Sequence, residues 1–179
     1  MGGLIMSKEI QKDGYSFVFC EDVIAVISFD DNEKQLCDGM KSVDIIAEFP
    51  EEYLFLELKR YNKGNVCFKC PIWKEAKIVE KCPLNNDEKR RNQAIINRVA
   101  MDLRQKYFDT FLHRYANNCE YKPINYVCIV ETEPIIAQKL KEKVLLPSKT
   151  KILKNFAIVT SDTWNNNPKL SKYAQCSLV

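Results

Sequence analysis

Histidine is almost missing from this chain, with His113 alone among 179 residues. That scarcity excludes His-rich metal centres, H-N-H-type nucleases and paired-histidine phosphodiesterases, each of which needs several imidazoles in one place. Glycine is also sparse: five glycines and seven prolines exclude a low-complexity or collagen-like chain. There is no glycine-rich phosphate loop, no G-x-S-x-G elbow and no internal repeat. No apolar run approaches the ~20 residues needed to cross a bilayer. The segment Gly2–Met6 is too short for a signal-peptide apolar region, and no small-residue cleavage site follows it. Met6 also stands where an N-myristoylation motif requires Ser or Thr. The expectation is a cytoplasmic protein with no membrane partner. Excess charge is small as well. A net charge of +3 permits a local basic groove without demanding a nucleic-acid partner.

What remains is ordinary for a soluble globular domain, with 46% apolar and 28% charged residues. The length suits one domain, residues 1–179, with a sizeable core. Cysteine is the exception, at eight residues. Without a signal peptide these thiols are expected to be reduced. Cys20 and Cys128 sit among apolar neighbours and read as small buried hydrophobes. Cys67, Cys70 and Cys82 fall in the least regular part of the chain, around 60–87, and invite a zinc reading. A structural zinc site takes four ligands. That segment supplies three, with Cys37 or Cys119 as a fourth, and unlinked thiols in an insertion are the alternative.

The most informative stretch is Ser42–Lys59, SVDIIAEFPEEYLFLELK. It alternates in period two on both sides of Phe49-Pro50-Glu51-Glu52, the pattern of a half-buried β-hairpin. On the second strand Leu54, Leu56 and Leu58 face one way, and Tyr53, Phe55, Glu57 and Lys59 the other. On the first, Val43, Ile45, Ala47 and Phe49 form an apolar face, with Asp44, Ile46 and Glu48 opposite. A turn centred on Pro50-Glu51 sets Asp44 across from Glu57; one centred on Glu51-Glu52 sets it across from Lys59. Both registers gather Asp44, Glu57 and Lys59 on one face, and the intermediate register does not. Two carboxylates on adjacent strands can hold a hard divalent cation such as Mg²⁺ or Mn²⁺ while it keeps several waters. Such an ion acidifies a bound water and polarises a phosphoryl oxygen. A nearby lysine orients that water or stabilises developing negative charge. This is the chemistry of phosphodiester hydrolysis; a solvated hairpin face is the plain alternative.

Val43-Asp44, a short gap, then Leu56-Glu57-Leu58-Lys59 after apolar strand residues resembles the signature of the restriction-endonuclease-like PD-(D/E)xK superfamily. The stretches Asp38–Lys59, Arg104–Tyr115, Lys122–Glu131 and Ser161–Asn165 resemble a group of uncharacterised bacterial proteins of this type. Val43 stands in place of the family's usual proline, a replacement the superfamily tolerates. The resemblance implies that Asp44 and Glu57 bind the metal, with the Leu58 carbonyl assisting, and that Lys59 is catalytic. It also implies DNA as the substrate, with RNA as the variant. A helix before the first core strand sometimes carries an extra carboxylate, for which Glu21 is the candidate. A polar residue of the long helix, Gln105 or Arg104, is the candidate to face the site. An enzyme of this kind without a recognition domain would depend on a homodimer or a targeting partner. The rival readings are a catalytically inactive nuclease-fold module that binds nucleic acid or protein, and a zinc-stabilised interaction protein.

Elsewhere, Ser7–Lys12 suggests a helical turn and Tyr15–Cys20 a strand, while Glu21–Phe29 fits a helix or a buried strand. Asn86–Tyr115 is the strongest helix, capped by Asn86 or Asp87. Its buried stripe runs through Ile95 or Ile96, Val99, Leu103, Tyr107 and Phe111, and Lys106 is among the basic residues assigned to its solvated side. His113 on that helix reads as a packed or surface residue. Ile124–Glu131 is a strand buried on both faces, Pro134–Val144 a helix, and Phe156–Thr160 another buried strand. Trp164 and Tyr173 in the tail are expected to seal the core edge. The fold class is therefore α/β: a mixed central sheet flanked by helices, with a restriction-endonuclease-like core.

Overall fold

The computed structural model describes residues 9–29, 39–60, 88–117, 119, 121–132, 134–147 and 150–179. Cys37, Cys67, Cys70 and Cys82, and the capping residues Asn86 and Asp87, lie outside them. The strands are β1 (Glu9–Lys12), β2 (Tyr15–Phe19), β3 (Ala25–Ser28), β4 (Ile45–Glu48), β5 (Tyr53–Arg60), β6 (Ile124–Glu131), β7 (Leu153–Val159) and β8 (Ala174–Leu178). The helices are α1 (Glu88–Ala116), α2 (Pro134–Lys143), α3 (Ser161–Asn166) and α4 (Pro168–Ser171). The fold is mixed α/β. Its main sheet has the order β3-β4-β5-β6-β7. The β3-β4-β5 meander is antiparallel, whereas β5, β6 and β7 run parallel. Helices α1 and α2 make the crossovers that parallel pairing requires.

Strand alternation sorts the side chains of the sheet between two cores. Tyr53, Phe55, Tyr126 and Cys128 face α1 and α2, packing with Val99, Leu103, Tyr107 and Leu140. Leu54, Leu56, Leu58, Val127 and Ile129 face the opposite way. The hairpin register is the one set by a turn centred on Pro50-Glu51, with Ile45 opposite Leu56 and Glu48 opposite Tyr53. In α1 the buried positions Ile96, Val99, Ala100, Leu103, Tyr107 and Thr110 recur at helical spacing. At its end the Asn117 side chain donates to the His113 carbonyl at 2.8 Å, and His113 packs edge-on against Phe29, with ring centroids 5.4 Å apart.

The second face of the sheet differs from expectation. It is covered by a three-stranded antiparallel sheet, β1-β2-β8, together with α3 and α4, so helices alone flank only the first face. Tyr15, Phe17 and Phe19 of β2 pack against Ile45, Leu54 and Leu56. Residues 9–12 form a strand rather than a helical turn, because they pair with β2. The segment after β2 is a turn leading into the short edge strand β3, not a helix. The tail holds two short helices and β8, which pairs with β2 from more than 150 residues away. Trp164 is fully buried there, and its indole N–H donates to the Ala174 carbonyl at 2.7 Å. Among the described residues no helix is long and apolar enough to cross a membrane.

The turn end of the hairpin is pinned by Glu52, which is buried. Its carboxylate meets Lys154 of β7 at 2.6 Å and Lys172 at 3.4 Å, and it accepts a hydrogen bond from Tyr173. Burial pushes the Glu52 carboxyl up, but the hydrogen bonds from Lys154 and Tyr173 outweigh it and hold it down at about 2, against an ordinary 4.5. A depressed carboxylate stabilises the fold above its unfolded-state value and loses that contribution as pH falls through the folded-state value. Urea unfolding should therefore show stability draining away as pH drops from 4.5 towards about 2. The Glu52→Gln variant should be less stable at pH 7 and show a shallower acid dependence.

Candidate functional site

The site lies where β5 ends, at the carboxyl end of the parallel strands, the usual position for ligand sites in such sheets. Glu57 and Lys59 are two residues apart on β5 and so share the face turned to α1. Asp44 arrives from the residue just before β4. There the ladder goes out of step: the Asp44 N–H donates to the Leu56 carbonyl at 3.0 Å, although Leu56 is already paired with Ile45. Two consecutive residues opposite one make a β-bulge, which re-aims side chains next to functional sites. Its effect is visible in Val43, which packs with the α1 core instead of sharing the Ile45 face as alternation alone requires.

Asp44 and Glu57 are both buried, at 2% and 0% exposure, and both contact ammonium groups. Lys59 Nζ lies 2.6 Å from Glu57 Oε1. Lys106 Nζ reaches in from α1 and bridges the two acids, 2.8 Å from Glu57 Oε1 and 3.0 Å from Asp44 Oδ1. The remaining oxygen of Asp44, Oδ2, accepts the Leu58 N–H at 2.6 Å. Because a strand residue presents its N–H and C=O to the same edge, the Leu58 carbonyl also faces the Asp44 side. Glu57 Oε2 is buried and accepts no hydrogen bond among the described residues.

Burial pushes the Glu57 carboxyl up to about 8, and the Asp44 carboxylate adds to the rise while Lys59 and Lys106 oppose it. Burial acts to lower Lys59 and Lys106, but the Glu57 and Asp44 carboxylates outweigh it and both ammonium groups end above their ordinary value. Behind Glu57, across the parallel ladder, lies Cys128. Burial drives its thiol far up, so it is an inert part of the core. Burial likewise raises the Tyr126 phenol, whose O–H donates to the Leu103 carbonyl at 2.9 Å.

One strip of α1 fastens this end of the hairpin. Asp102, Lys106, Asp109 and Thr110 follow i, i+4, i+7, i+8 spacing and so share a face. Asp102 pairs with Lys41 Nζ at 2.6 Å, Asp109 accepts the Lys41 N–H at 2.9 Å, and the buried Thr110 hydroxyl accepts the Val43 N–H at 2.9 Å.

The structure thus brings Asp44, Glu57 and Lys59 together, as the hairpin pattern requires. It does not bring in the accessory candidates. Glu21 is exposed in the turn after β2, at the far end of the sheet, where Ile24 pairs with Glu48. Gln105 and Arg104 are exposed, pointing away from the buried side of α1, and the Arg104 guanidinium rests over Phe108. Lys106 takes the place expected of them. Its charge alone places it on the solvated side of the helix, yet it sits three residues after Leu103 and four before Thr110, both fully buried. That flanking position is the signal in the sequence.

The chain matches no protein-family model, no curated protein and no solved structure. Among the described residues there is also no group of three or more His, Cys, Asp or Glu side chains placed to hold a metal ion. The available donor set is two carboxylates and a carbonyl.

Replacing Thr110 with Val removes the acceptor of the buried Val43 N–H and should cost about 1–3 kcal/mol in urea unfolding. Gln105→Ala, on the exposed side, should change stability by less than ~0.5 kcal/mol.

Proposed function

We propose that the protein is a metal-dependent nuclease-type hydrolase with a restriction-endonuclease-like PD-(D/E)xK core, cleaving phosphodiester bonds, with DNA as the expected substrate. The observation that carries this reading is the convergence of Asp44, Glu57 and Lys59 at the carboxyl end of β5, on a sheet that passes from an antiparallel hairpin to parallel strands through a helical crossover.

The donor set suits Mg²⁺ or Mn²⁺. Both ions take oxygen ligands, and Mg²⁺ needs only one or two carboxylates because it keeps its waters. Glu57 Oε2, buried without a hydrogen-bond donor among the described residues, is an oxygen whose desolvation a cation would offset. Asp44, Glu57 and the Leu58 carbonyl would hold the ion. Bound there, a divalent cation supplies an acidified water and withdraws charge from a phosphoryl oxygen. The Lys59 ammonium has three donors and no acceptor. It holds the attacking water in place and stabilises negative charge developing on the phosphoryl oxygens. Its partner Glu57 and the strand backbone fix its position, so little reorganisation is needed. Exposed Arg98 and Arg104 on α1 offer contacts to phosphates that carry no base specificity.

The Lys106 bridge favours a second reading, an inactive nuclease-fold binding module, since an ammonium already contacts both acids. The zinc-stabilised alternative rests on Cys67, Cys70 and Cys82, which lie outside the described residues.

Purified protein should nick or degrade DNA in Mg²⁺ or Mn²⁺ and stop on chelation. Lys59→Ala should lower the cleavage rate by about 10²–10³-fold, the usual loss when one charge-stabilising donor is removed. Gel assays on mixed DNA and RNA substrates check both points; a parent protein that cuts nothing under these conditions defeats the hydrolase reading.

A further inference from the structure

We propose that Lys106 is a tethered cation seated where a divalent ion would bind, so that ion binding requires its side chain to leave. This rests on the metal-site reading above. The ammonium lies 3.0 Å from Asp44 Oδ1 and 2.8 Å from Glu57 Oε1. No other ammonium among the described residues is shown touching both acids. It comes from α1, a different element from the hairpin that carries the carboxylates. Its side chain is only 13% exposed, so the contact is made largely out of water.

The charge balance makes coexistence costly. With both acids ionised, as ion binding requires, Asp44 and Glu57 together offset Lys59 and Lys106. A divalent ion added to that closed set leaves two positive charges uncompensated in a buried site, which desolvation penalises strongly. Moving one ammonium out halves the excess.

The structure provides a place for it to go. Asp102 precedes Lys106 by four residues on α1, so the two side chains are neighbours on one face, in the acid-before-base order that helices favour. Asp102 is 27% exposed and is paired with Lys41, itself 43% exposed and readily released to water. The Lys106 ammonium already acts on the Asp102 carboxyl, helping Lys41 and Lys59 to hold it below its ordinary value against burial. The inferred device is a two-position lysine: inward on Asp44 and Glu57 without the ion, outward on Asp102 with it.

Calorimetric titration of the full chain with Mn²⁺ tests this. Lys106→Gln keeps a hydrogen-bonding head but removes the charge, and should bind Mn²⁺ at least about tenfold more tightly than the parent, within the usual range of coupling between competing sites. Asp44→Asn should lose binding. A second measurement needs no substitution at Lys106: amine labelling of the parent protein, read by peptide mass spectrometry, should show Lys106 becoming several-fold more reactive when Mn²⁺ is added. Asp44-dependent binding in the parent, with equal or weaker binding by Lys106→Gln and unchanged labelling, would overturn the lysine proposal and leave the metal site standing. If neither the parent nor Lys106→Gln binds Mn²⁺, both fall together.

Discussion

A carboxylate with no solvent exposure sits in the middle of this protein's main sheet, and much of the surrounding architecture answers to it. Glu57 occupies a strand position that is otherwise apolar, between Phe55 and Cys128 on the face packed against α1. Left alone, a buried carboxyl either stays protonated or exacts a large desolvation penalty. Here two ammonium groups from different elements converge on one of its oxygens, while the other accepts no hydrogen bond among the described residues. Such a half-satisfied network is costly, and burial accordingly pushes the Glu57 carboxyl up to about 8.

Polar contacts to the segment that carries Asp44 anchor α1. The helix buries an apolar stripe, which fixes its orientation only loosely. Its polar strip, Asp102, Lys106, Asp109 and Thr110, holds residues 41–44 through side chain and backbone. Asp44 is thereby held beside Glu57 at a point where the β-ladder has already gone out of register. Directional hydrogen bonds specify position here where apolar contact alone would not.

The opposite end of the hairpin shows what a closed polar cluster looks like in this fold. Glu52 is met by Lys154, Lys172 and Tyr173, and Lys122 joins Glu48 to the Phe49 carbonyl. These contacts tie the turn to β7, to the segment after α4 and to the entry of β6. Between the two polar ends, the leucines of β5 are sealed by β2 and Trp164. The acid–lysine cluster therefore stands on a strand that is packed or paired along its length.

Much of this was legible in the residues themselves. Period-two alternation in Ser42–Lys59 determined the hairpin and the common face of Asp44, Glu57 and Lys59, because a strand sends alternate side chains to opposite sides whatever packs against it. Continuous apolarity marked Ile124–Glu131 as a doubly buried strand, and helical spacing marked α1. Tertiary structure alone decided what came from far away in the chain. The pairing of β8 with β2, the bulge that turns Val43 towards α1, and the entry of Lys106 between two acids on another element all depend on contacts across long separations. Local pattern carries no record of such partners: a lysine flanking an apolar stripe reads as solvated until the fold sets a buried carboxylate in front of it.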